Sequence, residues 1–343
     1  MEIISHDIEV NNNELEIKGE KTASNPSSLI PNPSLILGYY GFGNLGDELL
    51  LKACIKILNK YGFENEKLIV LSNNPEQTEK NFNIKSVNRW KISEVIKAMK
   101  ESKFLILGGG GLFQDSTSIK SCFYYWGVVR LAKFFGLKIV ALGQSVGPLK
   151  YKISKFLTGN ALRICEKIYV RDENSFKIAE ELGCKNLVKS FDLVLTLKPE
   201  KLNPPPIISK PLLIINLRPC KKLEKFINII APNLKKFNGK KIGVALSKED
   251  EKILSAYKNF LGLEEIKLIK TFEEAENLWS VAYCAIGIRL HFGVLSRIFQ
   301  TPVALMPYDI KVKEFAEQSN IPLIIDEWHA PSMPLPVADY DTI

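Results

Sequence analysis

The tripeptide Arg289-Leu290-His291 contains the residue types in this sequence that most directly suggest chemistry. A guanidinium group binds carboxylates and phosphates through paired hydrogen bonds, and an imidazole exchanges protons near neutral pH. The tripeptide follows the apolar run 284–288, which has the composition of a buried strand. If that strand continues, Arg289 and His291 project from one face and share a pocket. A histidine that only completes a core or caps a helix is the plain alternative.

The first glycine-rich turn, residues 38–48, has four glycines between a predicted strand and a predicted helix, and it contains Asn44 and Asp47. Small residues let backbone N–H groups approach a ligand, and the start of a helix favours an anion. The spacing differs from the GxGxxG pattern of dinucleotide-binding folds, so a tight connection is equally compatible with it. Helix capping is the alternative role for Asp47.

The second glycine-rich turn, residues 108–118, begins with four consecutive glycines. Such a run is entropically costly, so Gly109 and Gly110 are predicted to need positive φ angles or an uncovered backbone beside a ligand. Gln114 and Asp115 then offer groups that bind hydroxyls, as sugar sites do. Serine capping of the next helix would explain the serines of this turn but not its glycines.

Further polar residues follow apolar runs at predicted strand ends. Gln144 lies in a third turn, residues 143–148, and Arg171 directly follows the run 167–170. Arg171 is suited to bind a carboxylate or phosphate, and an ion pair at a helix start is its alternative. Arg218 follows the run 212–217, with a solvent-exposed role as its alternative. Lys311 lies just beyond the run 302–306, near a helix start.

These turns are placed by short apolar runs that alternate with amphipathic helical patterns. Strands are predicted at 34–39, 67–71, 103–108, 138–142, 167–170, 212–217, 241–246, 265–269, 284–288 and 302–306. Helices are predicted at 47–60, 92–101, 119–135, 152–166, 173–182, 221–238, 249–260, 273–282, 291–299 and 311–318. Alternation of this kind predicts parallel sheets covered on both faces.

The fold class is therefore α/β, with two Rossmann-like doubly wound domains facing each other across a cleft. Residues 34–201 and 207–326 form the two domains, joined by a proline-rich hinge at 202–206 and flanked by a polar leader, 1–33, and a tail, 327–343. Ligands bind beyond the carboxyl ends of such strands, where the turns above lie.

Composition narrows the choice of partner and compartment. The net charge is +8, and the leader holds six acids and two lysines, so the remaining chain is at about +12. A basic body suits small anions, and without a recognisable nucleic-acid motif no nucleic-acid partner is expected. No secretory signal or membrane span is recognisable, which predicts a cytoplasmic protein. The six cysteines are expected to be buried free thiols, and three histidines with no Cys/His cluster suggest no metal site.

Several blocks occur in a fixed order: GYYGFGNLGDE, LGGGGLFQDSTS, GQSVGP, YVRDENS, and IRLHFGVLS followed by PYDIKVKEFA. Together they resemble the polysaccharide pyruvyl transferase family, especially its bacterial cell-wall branch, over about residues 34–320. The resemblance implies a fold like the GT-B glycosyltransferases, phosphoenolpyruvate as co-substrate with no other cofactor, and a saccharide acceptor. In that branch the acceptor is typically N-acetylmannosamine of a lipid-linked precursor, with the first domain on the acceptor side and the second on the phosphoenolpyruvate side.

The family's chemistry assigns roles to the residues that match its motifs. Arg171 and Arg289 would bind the carboxylate and phosphate of phosphoenolpyruvate, and His291 would exchange protons with it. Asp47 or Asp115 is the candidate base that activates a sugar hydroxyl. The remaining candidate binding residues are Leu290, Arg218, Lys311, Gly109, Gly110, Gln114, Asn44 and Gln144.

Two other functions are compatible with the same architecture. One is a glycosyltransferase or epimerase that uses a nucleotide sugar, and the other is a non-catalytic sugar-binding protein. A lysine-rich segment, residues 221–241, is most simply a helix with one solvated face. It is also suited to approach the anionic inner face of a membrane, where a lipid-linked acceptor would reside.

Overall fold

The structure, a computed structural model, describes residues 33–116, 118–199 and 210–327. These residues form two parallel sheets, each covered by helices, as the sequence predicts. The predicted hinge lies outside the described residues, as do nearly all of the predicted leader and tail. None of the helices in the described ranges is both long and apolar enough to cross a bilayer.

The first domain is built on an eight-stranded sheet. Its strands are β1 (Ser34–Tyr40), β2 (Leu68–Ser72), β3 (Lys85–Asn88), β4 (Phe104–Leu107), β5 (Gly110–Phe113), β6 (Lys138–Val146), β7 (Lys167–Val170) and β8 (Leu187–Lys189). Its helices are α1 (Leu45–Lys60), α2 (Pro75–Phe82), α3 (Ile92–Glu101), α4 (Lys120–Phe134), α5 (Lys152–Leu162) and α6 (Glu173–Glu181). The strand order is β3-β2-β1-β4-β6-β7-β8, and β5 pairs with β6.

The second domain repeats the pattern with five strands. They are β9 (Leu212–Ile215), β10 (Lys240–Ala245), β11 (Glu265–Leu268), β12 (Cys284–Gly287) and β13 (Val303–Leu305), in the order β11-β10-β9-β12-β13. The helices are α7 (Leu223–Lys236), α8 (Lys248–Leu261), α9 (Phe272–Trp279), α10 (Leu290–Ile298) and α11 (Ile310–Gln318).

Side-chain alternation along β1 explains how the sheet is covered on both faces. Leu35 and Leu37 pack into a cluster with α3, α4 and α5, whereas Ile36 points to the opposite face, toward α1. The cluster that contains Ile36 continues through α1 into the second domain, where it includes Trp279 and Phe292. The two domains therefore share an apolar contact, and the backbone of Leu45 also donates to Leu246 across it (2.9 Å).

All ten predicted strands and all ten predicted helices are present, with ends that differ by a few residues. Three strands, β3, β5 and β8, and one helix, α2, were not predicted. β3 (KSVN) and β8 (LVK) are short and only partly buried, so they lack the apolar run that marks a central strand. Five of the six cysteines are buried and all six are free thiols, while Cys220 is partly exposed.

Two of the predicted turns are partly strand. β6 continues from 138 to Val146, so Gly143 and Gln144 lie in a strand and not in a turn. Within the second glycine-rich turn, Gly110–Phe113 forms β5, which pairs beside this extension of β6 through Gly110 and Gln144. The pairing is possible because the β6 extension runs beyond the end of β4, which leaves its backbone open on that side.

Strand order reverses between β1 and β4 in the first domain and between β9 and β12 in the second. At such switch points the neighbouring loops diverge and leave a crevice in which ligands bind. The loops after β1 and β4 contain the glycine-rich turns, and those after β9 and β12 contain Arg218 and Arg289. The fold thus brings the candidate residues of both domains to the same boundary.

Candidate active site

The Arg289-Leu290-His291 segment forms the start of α10 and not the end of a strand. β12 stops at Gly287, Arg289 is the N-cap residue, and Leu290 is the first residue of the helix. The expectation that Arg289 and His291 share one strand face is therefore wrong, because helical geometry turns successive side chains in different directions. Arg289 points into its own domain, and His291 points across to the first domain. Leu290 packs at the edge of the shared core.

Arg289 is held by a buried carboxylate. Its Nε donates to both oxygens of Asp250 (3.0 and 2.8 Å), and its Nη2 donates to Asp250 (2.6 Å) and to the Ser247 hydroxyl (2.8 Å). Asp250 is fully buried and Arg289 is 15% exposed. Burial works against the charge of Arg289, but the hydrogen bonds and charge of Asp250 raise its pKa overall. Arg289 is therefore a fixed cation whose Nη1 lies outside this network.

His291 reaches between the domains to contact α1 and Asp192. Its Nε2 lies 3.6 Å from Asp192 Oδ2, beyond hydrogen-bonding distance, and it has no hydrogen-bond partner among the described residues. A Cβ on Gly46 would overlap the imidazole, so glycine in α1 provides the space that His291 occupies. Burial lowers the pKa of His291 to about 4; Asp192 opposes this shift, and the charge of Arg171 adds to it. The imidazole is therefore neutral at pH 7.

Arg171 directly follows β7 and is paired with Asp192, the carboxylate that also lies near His291. Its Nη1 donates to Asp192 Oδ2 (2.7 Å), and its Nε lies 3.7 Å from Asp172, the residue that caps α6 through the Ser175 amide. Arg171 is 8% exposed. The alternative of an ion pair beside a cap is thus confirmed. Asp192 therefore fixes Arg171 by a hydrogen bond, and its carboxylate also lies near His291.

Asp47 lies in the first turn of α1, three residues after the N-cap residue Asn44. Asp47 is therefore not the helix cap. The Asn44 side-chain amide donates to Asp47 Oδ2. Burial raises the pKa of Asp47 to about 7; the hydrogen bond from Asn44 lowers it, Glu48 raises it, and Arg289 and Arg171 lower it. This carboxyl group exists in both protonation states near neutral pH.

Lys311 brings a further cation to the boundary from the first turn of α11, where Asp309 caps the helix by accepting from the Lys311 amide (3.0 Å). Its ammonium group reaches the glycine-rich segment, because a Cβ on Gly111 would lie 2.6 Å from Nζ. Burial lowers the pKa of Lys311 to about 8, and the nearby charge of Arg171 adds to this, whereas Asp309 opposes it. Lys311 is therefore a cation that loses its proton unusually easily.

The glycine-rich segment has the backbone conformation that its sequence predicts. Gly109 and Gly110 both have φ angles of +90°. However, neighbouring side chains cover both Cα atoms. A Cβ added to either glycine would lie 3.2 Å from Leu50, and one added to Gly109 would also lie 3.2 Å from Leu193. The glycines thus allow α1 to pack closely against the sheet, and they leave room for Lys311 at position 111.

Arg218 follows β9, so it lies across the second domain's switch point from Arg289, which follows β12. It is partly buried, so the solvent-exposed alternative is wrong. Its Nη1 donates to the Tyr308 hydroxyl, and its guanidinium carbon lies 4.7 Å from the centroid of the Tyr308 ring. Burial raises the pKa of Tyr308, and the charge of Arg218 opposes that shift. Tyr308 therefore fixes the position of the Arg218 side chain through its hydroxyl group and its ring.

Two predicted residues have other contacts. Asp115 accepts hydrogen bonds from the backbone amides of Lys150 (2.9 and 2.8 Å) and Tyr151 (3.0 Å), at the start of α5. Burial alone would raise the pKa of Asp115, but these hydrogen bonds lower it overall. A carboxylate stabilised in this way is a weak base. Gln114 accepts from the Ser116 amide and so stabilises its own loop, whereas Asp115 ties this loop to the start of α5.

Gln144 is fully buried in β6, where its Nε2 donates to the carbonyl oxygens of Leu107 (3.1 Å) and Leu142 (3.2 Å). Its Oε1 has no hydrogen-bond partner among the described residues. Its contacts connect the ends of β4 and β6, next to the glycine-rich segment.

Sequence reasoning missed three acidic residues at the boundary: Asp192, Asp250 and Glu314. Asp192 and Asp250 accept from Arg171 and Arg289, respectively. Glu314 accepts from the Asn174 amide across the boundary (3.2 Å), and burial, followed by the charge of Asp172, raises its pKa to about 7. Their positions carry no local motif, because each partner is distant in sequence. No group of three or more His, Cys, Asp or Glu side chains able to hold a metal occurs in the described parts of the chain.

The geometry therefore defines a two-domain α/β protein of the GT-B type, in which basic and acidic side chains of both domains meet at the domain boundary. Solved structures share this fold. The UDP-GlcNAc 2-epimerase from Methanocaldococcus jannaschii has a TM-score of 0.59 at 12% identity, covering 86% of this chain and 89% of that one. Anabaena Alr3699/HepE, solved with UDP-glucose, has a TM-score of 0.58 at 12% identity, covering 88% and 86%. A search of curated proteins gave no match.

The sequence identifies the family more narrowly. The family model for polysaccharide pyruvyl transferase matches residues 44–310. The chain belongs to the polysaccharide pyruvyl transferase family, which confirms the resemblance found in the sequence motifs. The matched range contains Asp47, Arg171, Arg218, Arg289 and His291.

Proposed function

We propose that this protein transfers the pyruvyl group of phosphoenolpyruvate to two hydroxyls of one sugar, forming a cyclic ketal and releasing phosphate. One observation carries the proposal beyond family membership. Arg171 from the first domain and Arg289 from the second both act electrostatically on the neutral imidazole of His291 and on the Asp47 carboxyl group, whose pKa is about 7, and the Lys311 cation lies near Arg171.

The cations suit a donor that carries a carboxylate and a phosphate. Arg171 is held in position by Asp192, and Arg289 by Asp250, so neither needs to reorganise when an anion binds. Lys311 has a pKa lowered to about 8 by burial and by its neighbour Arg171, and an anion beside it would raise that pKa again. Donor binding thus stabilises its charge.

The reaction requires one proton at carbon and the removal of two from oxygen. Protonation of the methylene carbon uses the π-electron pair of the enol and leaves positive charge at the neighbouring carbon. The first sugar hydroxyl forms a C–O bond there and loses its proton. The second hydroxyl forms the other C–O bond as phosphate departs with the electron pair of the breaking C–O bond. Of the two hydroxyl protons, one balances that added to carbon and one leaves with phosphate.

His291 and Asp47 are suited to move these protons. A bound anion raises the pKa of His291 and favours the imidazolium form, which can deliver a proton to the methylene carbon. Asp47 has a pKa of about 7, because burial opposes its charge, so a large fraction is ionised at pH 7 and can accept a hydroxyl proton. Asp115, whose backbone hydrogen bonds lower its pKa, is the less suitable base.

The acceptor that we propose is N-acetylmannosamine in a lipid-linked cell-wall polysaccharide precursor. The support is the resemblance of the sequence blocks to the cell-wall branch of the family. Such an acceptor would place the enzyme at the inner face of the membrane in the cytoplasm. The lysine-rich helix α7, whose apolar side packs in the core, offers a basic outer face for that contact.

The experiment is phosphate release from phosphoenolpyruvate by the purified protein with N-acetylmannosamine-containing acceptors. We expect His291→Asn to reduce the rate by roughly 10²- to 10⁴-fold, as loss of an acid–base group does. Lys311→Gln should reduce it on the order of 10²-fold. Lys313→Gln is the matched control, because Lys313 lies on the same helix but is exposed and pairs with Glu317. Its rate should equal that of the parent protein.

Absence of acceptor-dependent phosphate release, together with tight binding of a UDP-sugar, would support the nucleotide-sugar alternative. Saccharide binding without turnover of either donor would support a non-catalytic sugar-binding protein.

A further inference from the structure

Three large aromatic side chains are exposed at the carboxyl edge of the first domain's sheet. Tyr39 lies in β1 and is 45% exposed, Phe42 lies in the following turn and is 36% exposed, and Trp90 follows β3 and is 60% exposed. The Tyr39 and Phe42 rings are stacked, with centroids 4.0 Å apart and planes within 8°. Clustered exposed aromatics are unfavourable in water, and such patches commonly mark binding surfaces.

A buried arginine connects these rings. Arg89 is 4% exposed, and its Nη1 donates to the carbonyl oxygen of Gly38 (2.7 Å). Its guanidinium carbon lies 5.3 Å from the centroids of both Phe42 and Trp90, and 4.4 Å from that of Tyr124. The cation therefore packs against Phe42 on one strand connection and Trp90 on another, which fixes the two rings relative to each other.

Each ring is also held by its own loop. The Trp90 indole N–H donates to Asn73 Oδ1 (2.8 Å), and the Trp90 backbone amide donates to Asn88 Oδ1 (2.9 Å). Trp90 is thus fully hydrogen-bonded through its indole yet remains exposed on its ring surface. A rigid amphipathic ring of this kind offers contact area with little loss of entropy on binding.

The turn that carries Phe42 is equally constrained. Gly41 has a φ angle of +77°, and a Cβ there would overlap the Ser72 hydroxyl and the Asn74 amide. Its own backbone amide donates to Glu48 of α1 (2.9 Å). The turn is therefore fixed both to the end of β2 and to the helix whose first turn carries Asp47.

The aromatic surface adjoins the first turn of α1, which carries Asp47. Phe42 precedes Asn44, the N-cap of α1, by two residues. Burial raises the pKa of the Tyr39 phenol, the charge of Asp47 adds to this, Arg89 opposes it, and Glu249 of the second domain adds again. Tyr39 is therefore close enough to respond to Asp47 on one side and to the second domain on the other.

We infer that Tyr39, Phe42 and Trp90 form an aromatic platform on which a sugar ring of the saccharide acceptor stacks, next to Asp47. The inference rests on the proposed function, because it assigns the acceptor to this side of the site. A pyranose has C–H groups on its faces and hydroxyls at its rim, so it matches the exposed parts of these rings, above all Trp90, which is 60% exposed and lies next to the polar side chains of Asn73 and Asn88.

The test uses Trp90→Ala and Phe42→Ala with a disaccharide ending in N-acetylmannosamine as the probe. Each substitution should raise the KM for the disaccharide about tenfold, with the KM for phosphoenolpyruvate unchanged. Trp90→Phe should recover most of the loss, because a ring face is restored. Phe134→Ala is the control: Phe134 is 81% exposed at the far end of α4, about 15 Å along the helix from Tyr124.

A binding readout separates this inference from the proposed function. Saturation-transfer NMR on the disaccharide, without phosphoenolpyruvate, should show contact that Trp90→Ala removes; this would support the platform even in the absence of turnover. Normal turnover with unchanged disaccharide KM in both alanine variants would overturn the platform and leave the proposed function intact. If the two alanine variants instead lose binding to vesicles that contain phosphatidylglycerol, while the KM for the disaccharide is unchanged, the rings are a membrane contact and the inference is refuted.

Discussion

Asp47→Asn should make the protein more stable and less active. The asparagine side chain has the shape of a protonated carboxyl group but cannot ionise. In the folded protein, burial raises the pKa of Asp47 from its ordinary value of 3.8 to about 7, mainly because the charged form is poorly solvated between the two domains. Ionisation of Asp47 therefore opposes folding, and the amide removes that effect while it keeps the contact with Asn44.

The magnitude follows from the pKa shift. Because one pKa unit corresponds to about 1.4 kcal/mol, a shift from 3.8 to about 7 corresponds to about 4 kcal/mol. The folded-state pKa is raised, so the stability due to neutral Asp47 is complete below 3.8 and is lost as the pH rises through 7. The asparagine variant should thus gain about 1.5 kcal/mol at pH 5 and about 4 kcal/mol at pH 8.

Urea unfolding of Asp47→Asn and the parent protein at pH 5 and pH 8 measures this difference. Asp326→Asn is the control, because Asp326 is exposed and pairs with Lys225 at the surface. Its free energy of unfolding should change by less than about 0.5 kcal/mol at either pH. An Asp47→Asn effect that is the same at both pH values, or that is destabilising at pH 8, would refute the reasoning. Phosphate release by the variant should fall by roughly 10²-fold or more.

Three further predictions concern neighbouring residues. Asp250→Ala leaves the Arg289 cation partly buried without its partner, so the free energy of unfolding, measured in urea, should fall by about 3–5 kcal/mol. Burial lowers the pKa of His291 in the folded protein to about 4. The neutral imidazole therefore contributes about 3 kcal/mol to the free energy of unfolding above pH 6.5, and this contribution is lost as the pH falls through 4. In urea titrations, His291→Gln should remove that acid-induced loss of stability. Gly111→Ala places a methyl group 2.6 Å from Lys311 Nζ, a flexible end that can move, so thermal stability should hold while the KM for phosphoenolpyruvate rises severalfold.

An unchanged unfolding free energy in Asp250→Ala would mean that Arg289 is solvated without its partner. A parent-like acid profile in His291→Gln would assign the acid sensitivity to other groups. An unchanged KM in Gly111→Ala would separate Lys311 from the donor.

The fold was predictable because the strongest signals are local. The centres of the predicted strands 34–39 and 103–108, residues 35–37 and 105–107, are entirely apolar because they are buried on both faces of a sheet. β8, with two residues that are partly buried and one that is exposed, gives no such signal. β5 was not predicted for a different reason. Its glycines are typical of a turn, and they form a strand only because the extended β6 offers an unpaired edge beside them.

The site was predictable in composition but not in arrangement. Arg171, Arg289, His291, Asp47 and Lys311 all lie at the predicted boundary, as strand-end positions in parallel sheets require. The prediction that Arg289 and His291 share one strand face was wrong, because α10 begins one residue earlier than predicted and turns the two side chains in different directions. The roles that we propose for these residues remain predictions for the assays above.

The sequence by itself determined the α/β class, the family and the set of charged residues that follow the strands, because periodicity and motif order are properties of neighbouring residues. Tertiary structure alone decided which carboxylate pairs with which cation: Asp192 with Arg171, and Asp250 with Arg289. It also decided the pKa values of Asp47 and His291, which depend on burial between two domains. Desolvation and charge pairing act over a few ångströms in space, whatever the separation along the chain.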